Sequence, residues 1–338
     1  MKYLQGRRGF DIITLESPAR SPGPGQVRVQ VLACGVCGTD LHFLRQKEDY
    51  TPLGHEICAR VLENGEGAVR FPPGRQVVAE DQALCGVCDA CKSGRPGLCR
   101  SGPSLDGQSG MGEELVLDER LMHDAEGLDP AVAAMTEPLA VAIRCVDTLD
   151  PAPGSSLLIY GLGAIGLFCL AYARLRGVTR VVMAARDAGS RRNRASADIA
   201  LDFGADGVLF TALPAFREEA LRGGSYDNAL VAAPPPLVPD AMGLVGYGGK
   251  VLACGVTFDA RDARAELDVN AMVFEKKALL TAIAEPALQF PLALRLLRSG
   301  RIDAGRAITH RVPLVEAATL KTLFGQDSSA VKAVVVPG

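Results

Sequence analysis

The chain has 338 residues, enough for two domains. Apolar residues make up 48% and charged residues 22%, which excludes a mainly disordered chain. With 36 Lys+Arg against 39 Asp+Glu the net charge is −3, so no nucleic-acid partner is expected. There are 37 Gly, 11 Phe, 6 Tyr and no Trp, a composition that suits an α/β enzyme better than an all-β binding module.

Met1–Arg8 has no apolar stretch behind its basic residues, so no secretory signal is read there. Ten cysteines without such a signal are expected to stay reduced in the cytoplasm, and clustered ones then read as metal ligands. Gln26–Val31 alternates with period two and predicts a half-buried antiparallel strand; Arg75–Ala79 is another candidate.

Between them lies Gly35-Val-Cys37-Gly38-Thr39-Asp40-Leu-His42, followed by Gly54-His55-Glu56. Cys, His and Glu suit a zinc with one open position, and Asp40 is placed to orient the His55 ring. Taken alone, a Cys and a His this far apart are weak evidence. Cys85, Cys88, Cys91 and Cys99 fall within 15 residues, close enough to close tetrahedrally around one zinc. Four cysteine ligands leave no open position, so this zinc would be structural. The other readings are four unrelated reduced thiols, a redox pair and a nucleic-acid-binding zinc ribbon.

Ala131–Val146 is Ala-rich and helix-permissive, with Pro138 breaking or kinking it. From 151 to 284 short apolar runs alternate with helical stretches. The strand candidates are Leu157–Tyr160, Arg180–Ala185, Gly207–Phe210, Asn228–Ala233, Lys250–Cys254 and Ala278–Ala284. This predicts a doubly wound parallel sheet. Leu157 to Ala173 is uncharged but carries Gly161, Gly163 and Gly166, so it reads as a strand, a turn and a helix rather than a membrane span. Gly161-Leu-Gly163-Ala164-Ile165-Gly166 between strand and helix is a dinucleotide fingerprint: the glycines allow the tight turn and bring a pyrophosphate to the helix N-terminus.

An NAD enzyme of this fold carries Asp or Glu at the end of its second strand. Here that position is Ala185, followed by Arg186 and, further on, Arg191, so NADP(H) is expected over NAD(H). The alternative is that Asp187 holds the ribose slightly later. Thr309–Val336 returns to β-like runs.

In this order the motifs resemble the zinc-dependent medium-chain dehydrogenase/reductase family, most closely its polyol (sorbitol) and threonine dehydrogenase branch, over nearly the whole chain. The resemblance implies a GroES-like, mostly-β catalytic domain at 1–150, a Rossmann NADP-binding domain at 151–285, and a C-terminal segment, 286–338, that returns to the first. It implies that Cys37, His55 and Glu137, the last in Thr136-Glu137-Pro138-Leu139, hold the catalytic zinc, with Glu56 beside the metal and exchanging with water. Cys85, Cys88, Cys91 and Cys99 match the structural-zinc lobe. Thr39 matches the hydroxyl beside the bound alcohol, His42 a proton-relay position, and Lys332 a basic residue that meets the pyrophosphate.

Ala59 departs from the family's usual Gly, and the 17 residues between Cys37 and His55 are few for it. Met111 stands where the family has an aromatic pocket wall. The implied activity is hydride transfer between NADP(H) and a secondary alcohol or ketone of polyol or sugar-like type. A zinc-dependent NADPH reductase of an aldehyde or imine, and a non-catalytic NADP-binding relative, are the alternatives. Two zincs per chain and a homodimer or homotetramer, paired through Ala278–Ala284, are also expected.

Overall fold

A computed structural model of the protein describes residues 1–325 and 328–337. Two compact units emerge. One comprises Met1–Ala140, Ala284–Gly325 and Lys332–Gly338; the other is built on Val141–Ile283.

In the first unit, the period-two run continues as a strand over Gln26–Gly35, with Val27, Val29 and Val31 facing the core. It is the spine of a seven-stranded sheet. The path runs Ile308–Pro313, Lys332–Val336, Gln26–Gly35, Glu56–Asn64, Gln76–Ala79 and Met122–Asp124, with Glu114–Asp118 also pairing the spine. The C-terminal strand lies antiparallel to the spine, Val334 opposite Gly35 and Val335 opposite Cys34. This register carries Lys332 to the end of the spine that leads into Cys37.

The second unit is a six-stranded, all-parallel sheet. Its spatial order is Gly207–Phe210, Arg180–Ala185, Ser156–Tyr160, Tyr226–Val231, Val245–Ala253 and Ala278–Thr281. Numbered along the chain these strands run 3-2-1-4-5-6, the dinucleotide-binding order. Leu158, Tyr160, Ala229, Val231 and Val251 are buried on one face and Leu157, Ile159, Leu230 and Leu252 on the other, as a parallel sheet covered on both faces requires. The uncharged run after Leu157 is the first of these strands and the helix Ala164–Leu175. Among the described residues no helix is long and apolar enough to cross a membrane.

Two sequence expectations shift. Helices Pro130–Ala134 and Thr136–Leu149 are separated at Met135, before Pro138. Pro138 sits in the first turn of the second helix, where its missing N–H has no intrahelical partner to lose. The division between units falls inside that helix rather than at 150. Its later residues bond within the second unit: Cys169 Sγ donates to the Ala142 carbonyl, and Tyr172 hydroxyl donates to Asp147.

Candidate functional site

Cys37 caps the helix Gly38–Gln46, and its sulfur accepts the Thr39 N–H at 3.5 Å. Asp40, buried, accepts the Cys37 N–H at 2.9 Å through one carboxylate oxygen and the Gly54 N–H at 2.8 Å through the other. It therefore braces the two segments that carry Cys37 and His55 through their backbones, and the expectation that it orients the His55 ring directly is replaced by this bracing.

The ligand atoms of Cys37, His55 and Glu56 lie within 4.8 Å of one another. Burial pulls the His55 imidazole down, but its hydrogen bond with Cys37 and the charges of Cys37, Glu137 and Asp40 outweigh it. The net position is well above the usual histidine value. Glu137, in the first turn of Thr136–Leu149, is outside this close set. It is near enough to feel it: burial, opposed by His55 and reinforced by Glu56, pushes its carboxyl up to about 7.

Glu56 is 1% exposed and Lys332 3%. Lys332 Nζ donates to Glu56 Oε1 at 2.5 Å and to the Val36 carbonyl at 2.9 Å. The expectation that Lys332 meets the pyrophosphate is thus corrected: a buried ammonium with a buried carboxylate and a carbonyl as partners belongs to the metal-ligand cluster. Glu56 Oε2, also buried, has no partner among the described residues. An orphaned carboxylate oxygen beside a thiol and an imidazole fits a cation. Gly35 makes room for it: a Cβ there would lie 1.8 Å from Glu56 Oε2.

His55 and Thr39 line a cleft of about 340 Å³. His42, one helical turn after Thr39, is not among its lining residues. Burial, helped by the nearby Arg45 charge, lowers its pKa below the ordinary histidine value, so it is neutral near pH 7. Met111 is a core residue, 1% exposed, rather than a wall of this cleft. Asp81, Asp106 and Glu285 do line it, and the sequence reading missed all three.

The four lobe cysteines lie within 4.8 Å of one another. Backbone N–H groups of Val87 and Cys88 donate to Cys85 Sγ at 3.4 and 3.3 Å, and Cys85 N–H donates to Cys99 Sγ at 3.3 Å. Such donors favour thiolates: Cys85 is lowered by the Val87 and Cys88 N–H groups, and Cys99 is lowered to about 6 by those of Cys85 and Ser101. Four sulfurs this close together, two of them favoured as thiolates, fit a tetrahedral dication.

In the second unit, Gly161 takes φ +111°, and a Cβ there would lie 2.6 Å from the Ala232 carbonyl oxygen. A Cβ on Gly166 would lie 2.0 Å from the Gly161 carbonyl oxygen, so helix and turn touch backbone to backbone. Gly163 instead faces open space as N-cap of Ala164–Leu175, leaving the N–H groups at Ala164 and Ile165 room for a phosphate. A cavity of about 300 Å³ beside this turn is lined by Gly161, Ala185 and Arg186, and also by Asn193, Thr211 and Asp262. Arg191 opens the helix Arg191–Asp202 and is not among the lining residues. Asp187 Oδ1 accepts the Ser190 N–H at 2.8 Å and is likewise not among them, which weakens its claim on a ribose.

The sequence pattern of the alcohol dehydrogenase GroES-like domain matches residues 23–127. A Mycobacterium tuberculosis protein named "Probable zinc-binding alcohol dehydrogenase" is 30% identical over 329 residues, 93% of this chain and 82% of that one. The chain belongs to the zinc-dependent medium-chain dehydrogenase/reductase family. L-galactonate-5-dehydrogenase of Escherichia coli is 29% identical, over 90% of this chain and 89% of the relative. A Sinorhizobium meliloti 1021 protein described as a zinc-binding dehydrogenase, solved bound to NADP, superimposes with TM-score 0.86 and is 28% identical over 99% of each chain. The protein is a zinc-type alcohol dehydrogenase that works with a nicotinamide dinucleotide on small alcohols.

Proposed function

We propose that this dehydrogenase interconverts a secondary alcohol of polyol or sugar-like type and its ketone, with NADP(H), in the cytoplasm and as a homodimer or homotetramer. What carries the reading is the meeting of Cys37, His55 and Glu56 beside a cleft lined by Thr39. Cys37 and His55 would hold the catalytic zinc, with Glu137 or Glu56 as the carboxylate. A zinc there supplies Lewis acidity to the alcohol oxygen, and the nicotinamide supplies the hydride acceptor. Thr39 takes the proton that the alcohol releases. Neutral His42, at the i+3 position on the same helix, can receive it next. Lys332 holds Glu56 Oε1, so only Oε2 is left for a cation. Cys85, Cys88, Cys91 and Cys99 would hold a second zinc with no open position, ordering their lobe.

For the cofactor, the absence of a carboxylate at Ala185 and the exposed guanidinium of Arg186 support a 2′-phosphate. Asp262 in the same cavity is the one observation that favours NAD instead, since its charge would repel that phosphate. Assembly is supported by the uncharged strand Ala278–Thr281 at the sheet edge.

The test is metal content together with turnover. Wild type should hold two zincs and form NADPH in the presence of a secondary alcohol. Cys37→Ser should lose one zinc and all turnover; Cys85→Ser should lose the other and fold in lower yield. Wild type with one zinc or none, or with no alcohol-dependent NADPH formation, overturns the reading.

A further inference from the structure

Carboxylates predominate in the lining of the substrate cleft. Asp81, Asp106 and Glu285 all line it, and no Lys or Arg does. They arrive from three separate parts of the chain. Among the described residues, neither Asp81 nor Glu285 makes a side-chain hydrogen bond or ion pair, while Asp106 accepts only the Ser104 hydroxyl, at 2.9 Å. Asp40, the remaining carboxylate, has both oxygens occupied by the backbone donors described above. Burial and the charge of Asp81 push the Glu285 carboxyl up, with His55 opposing them. Independently of these acids, the cleft reaches His55, which belongs with Cys37 and Glu56 to the metal-ligand cluster, and Glu56 Oε2 in that cluster is buried with no partner among the described residues.

A substrate with a carboxylate or phosphate would enter this wall against three like charges. A neutral polyol would leave them uncompensated. A protonated amine would pair with them while its hydroxyl reaches the metal cluster.

We propose that the substrate is an amino alcohol: a secondary alcohol with a protonated amine nearby and no carboxylate or phosphate, the amine being held by Asp81 and Glu285. This rests on the dehydrogenase reading above. In the reaction the carbinol carbon gives a hydride to NADP+, the hydroxyl proton goes to solvent through Thr39, and the amine is unchanged.

Matched probes test it on the zinc-loaded enzyme at pH 7.5. The pairs are 2-amino-2-deoxy-D-glucitol with D-glucitol and trans-2-aminocyclohexanol with trans-1,2-cyclohexanediol; D-gluconate and L-threonine are the carboxylate-bearing controls. Both kcat/KM and calorimetric affinity for the enzyme with NADP+ bound are measured. The amine member of at least one pair should exceed its diol by about tenfold to a hundredfold, the worth of hydrogen bonds to a charged group. The carboxylates should be poorest. Asp81→Asn combined with Glu285→Gln should bring the amine-to-diol ratio to near unity with zinc content intact. Diols equal to or better than their amines overturn the proposal, as do a carboxylate that is best, an unchanged ratio in the double variant, or no binding of either amine. If no probe is turned over, the dehydrogenase reading fails, and the calorimetric ratio still decides the amine preference by itself.

Discussion

Replacing Lys332 with Met separates the two roles this residue has been given. At the metal-ligand cluster, its ammonium makes a 2.5 Å bond to Glu56 Oε1 and a 2.9 Å bond to the Val36 carbonyl. Glu56 Oε2 has no hydrogen-bond partner among the described residues, so Lys332→Met takes from a buried carboxylate the ammonium that pairs with it. Breaking one side of a buried pair costs about 3–5 kcal/mol, whereas neutralising both partners is close to neutral. For a domain of about 150–250 residues each kcal/mol moves the melting midpoint about 2–4 °C. Lys332→Met should therefore lower Tm by about 10 °C, and Glu56→Gln combined with Lys332→Met should recover most of that loss. NADP affinity, measured by fluorescence titration, should not change, because the ammonium is spent within the cluster. A loss of under about 1 kcal/mol, as for an exposed pair, would refute the burial argument. So would a double variant no more stable than Lys332→Met. A fall in NADP affinity would return Lys332 to the pyrophosphate.

Gly35→Ala would place a Cβ 1.8 Å from Glu56 Oε2 and 3.0 Å from Met135 Cε. It should cost about 1–3 kcal/mol of stability and displace Glu56, read by calorimetry and zinc content; a wild-type Tm would show that the carboxylate can move at no cost. Thr39→Val should keep both zincs and NADP binding but lower kcat about 10²–10⁴-fold, the usual worth of a proton-transfer group; unchanged kcat removes Thr39 from the proton path. Ala185→Asp with Arg186→Leu should turn a preference for NADP of about 10–100-fold into one for NAD, measured as the ratio of kcat/KM values. A wild-type enzyme that uses NAD as well as NADP would show that Asp262 outweighs Arg186.

Much of this protein is written locally. Cys85, Cys88, Cys91 and Cys99 fall within one short loop, so spacing alone brings the sulfurs together. Gly161, Gly163 and Gly166 sit between a strand and a helix that apolar runs already mark, and backbone sterics demand glycine at two of them. The parallel strands are legible for the same reason: a strand covered on both faces is a short apolar run wherever it occurs.

The tertiary structure decides what depends on chain return. Lys332 meets Glu56 across 276 residues because the strand Lys332–Val336 lies along Gln26–Gly35. No periodicity near either residue encodes that register, and an isolated lysine in a β run reads as a solvent-facing or ligand-facing charge. Asp81, Asp106 and Glu285 each look like ordinary surface acids in sequence. They become one negative wall only when three loops converge on the cleft beside His55. Spacing along the chain sets what neighbours can do together. Burial, which turns a charge from a solvated ornament into an interaction worth several kcal/mol, is a property of the folded packing alone.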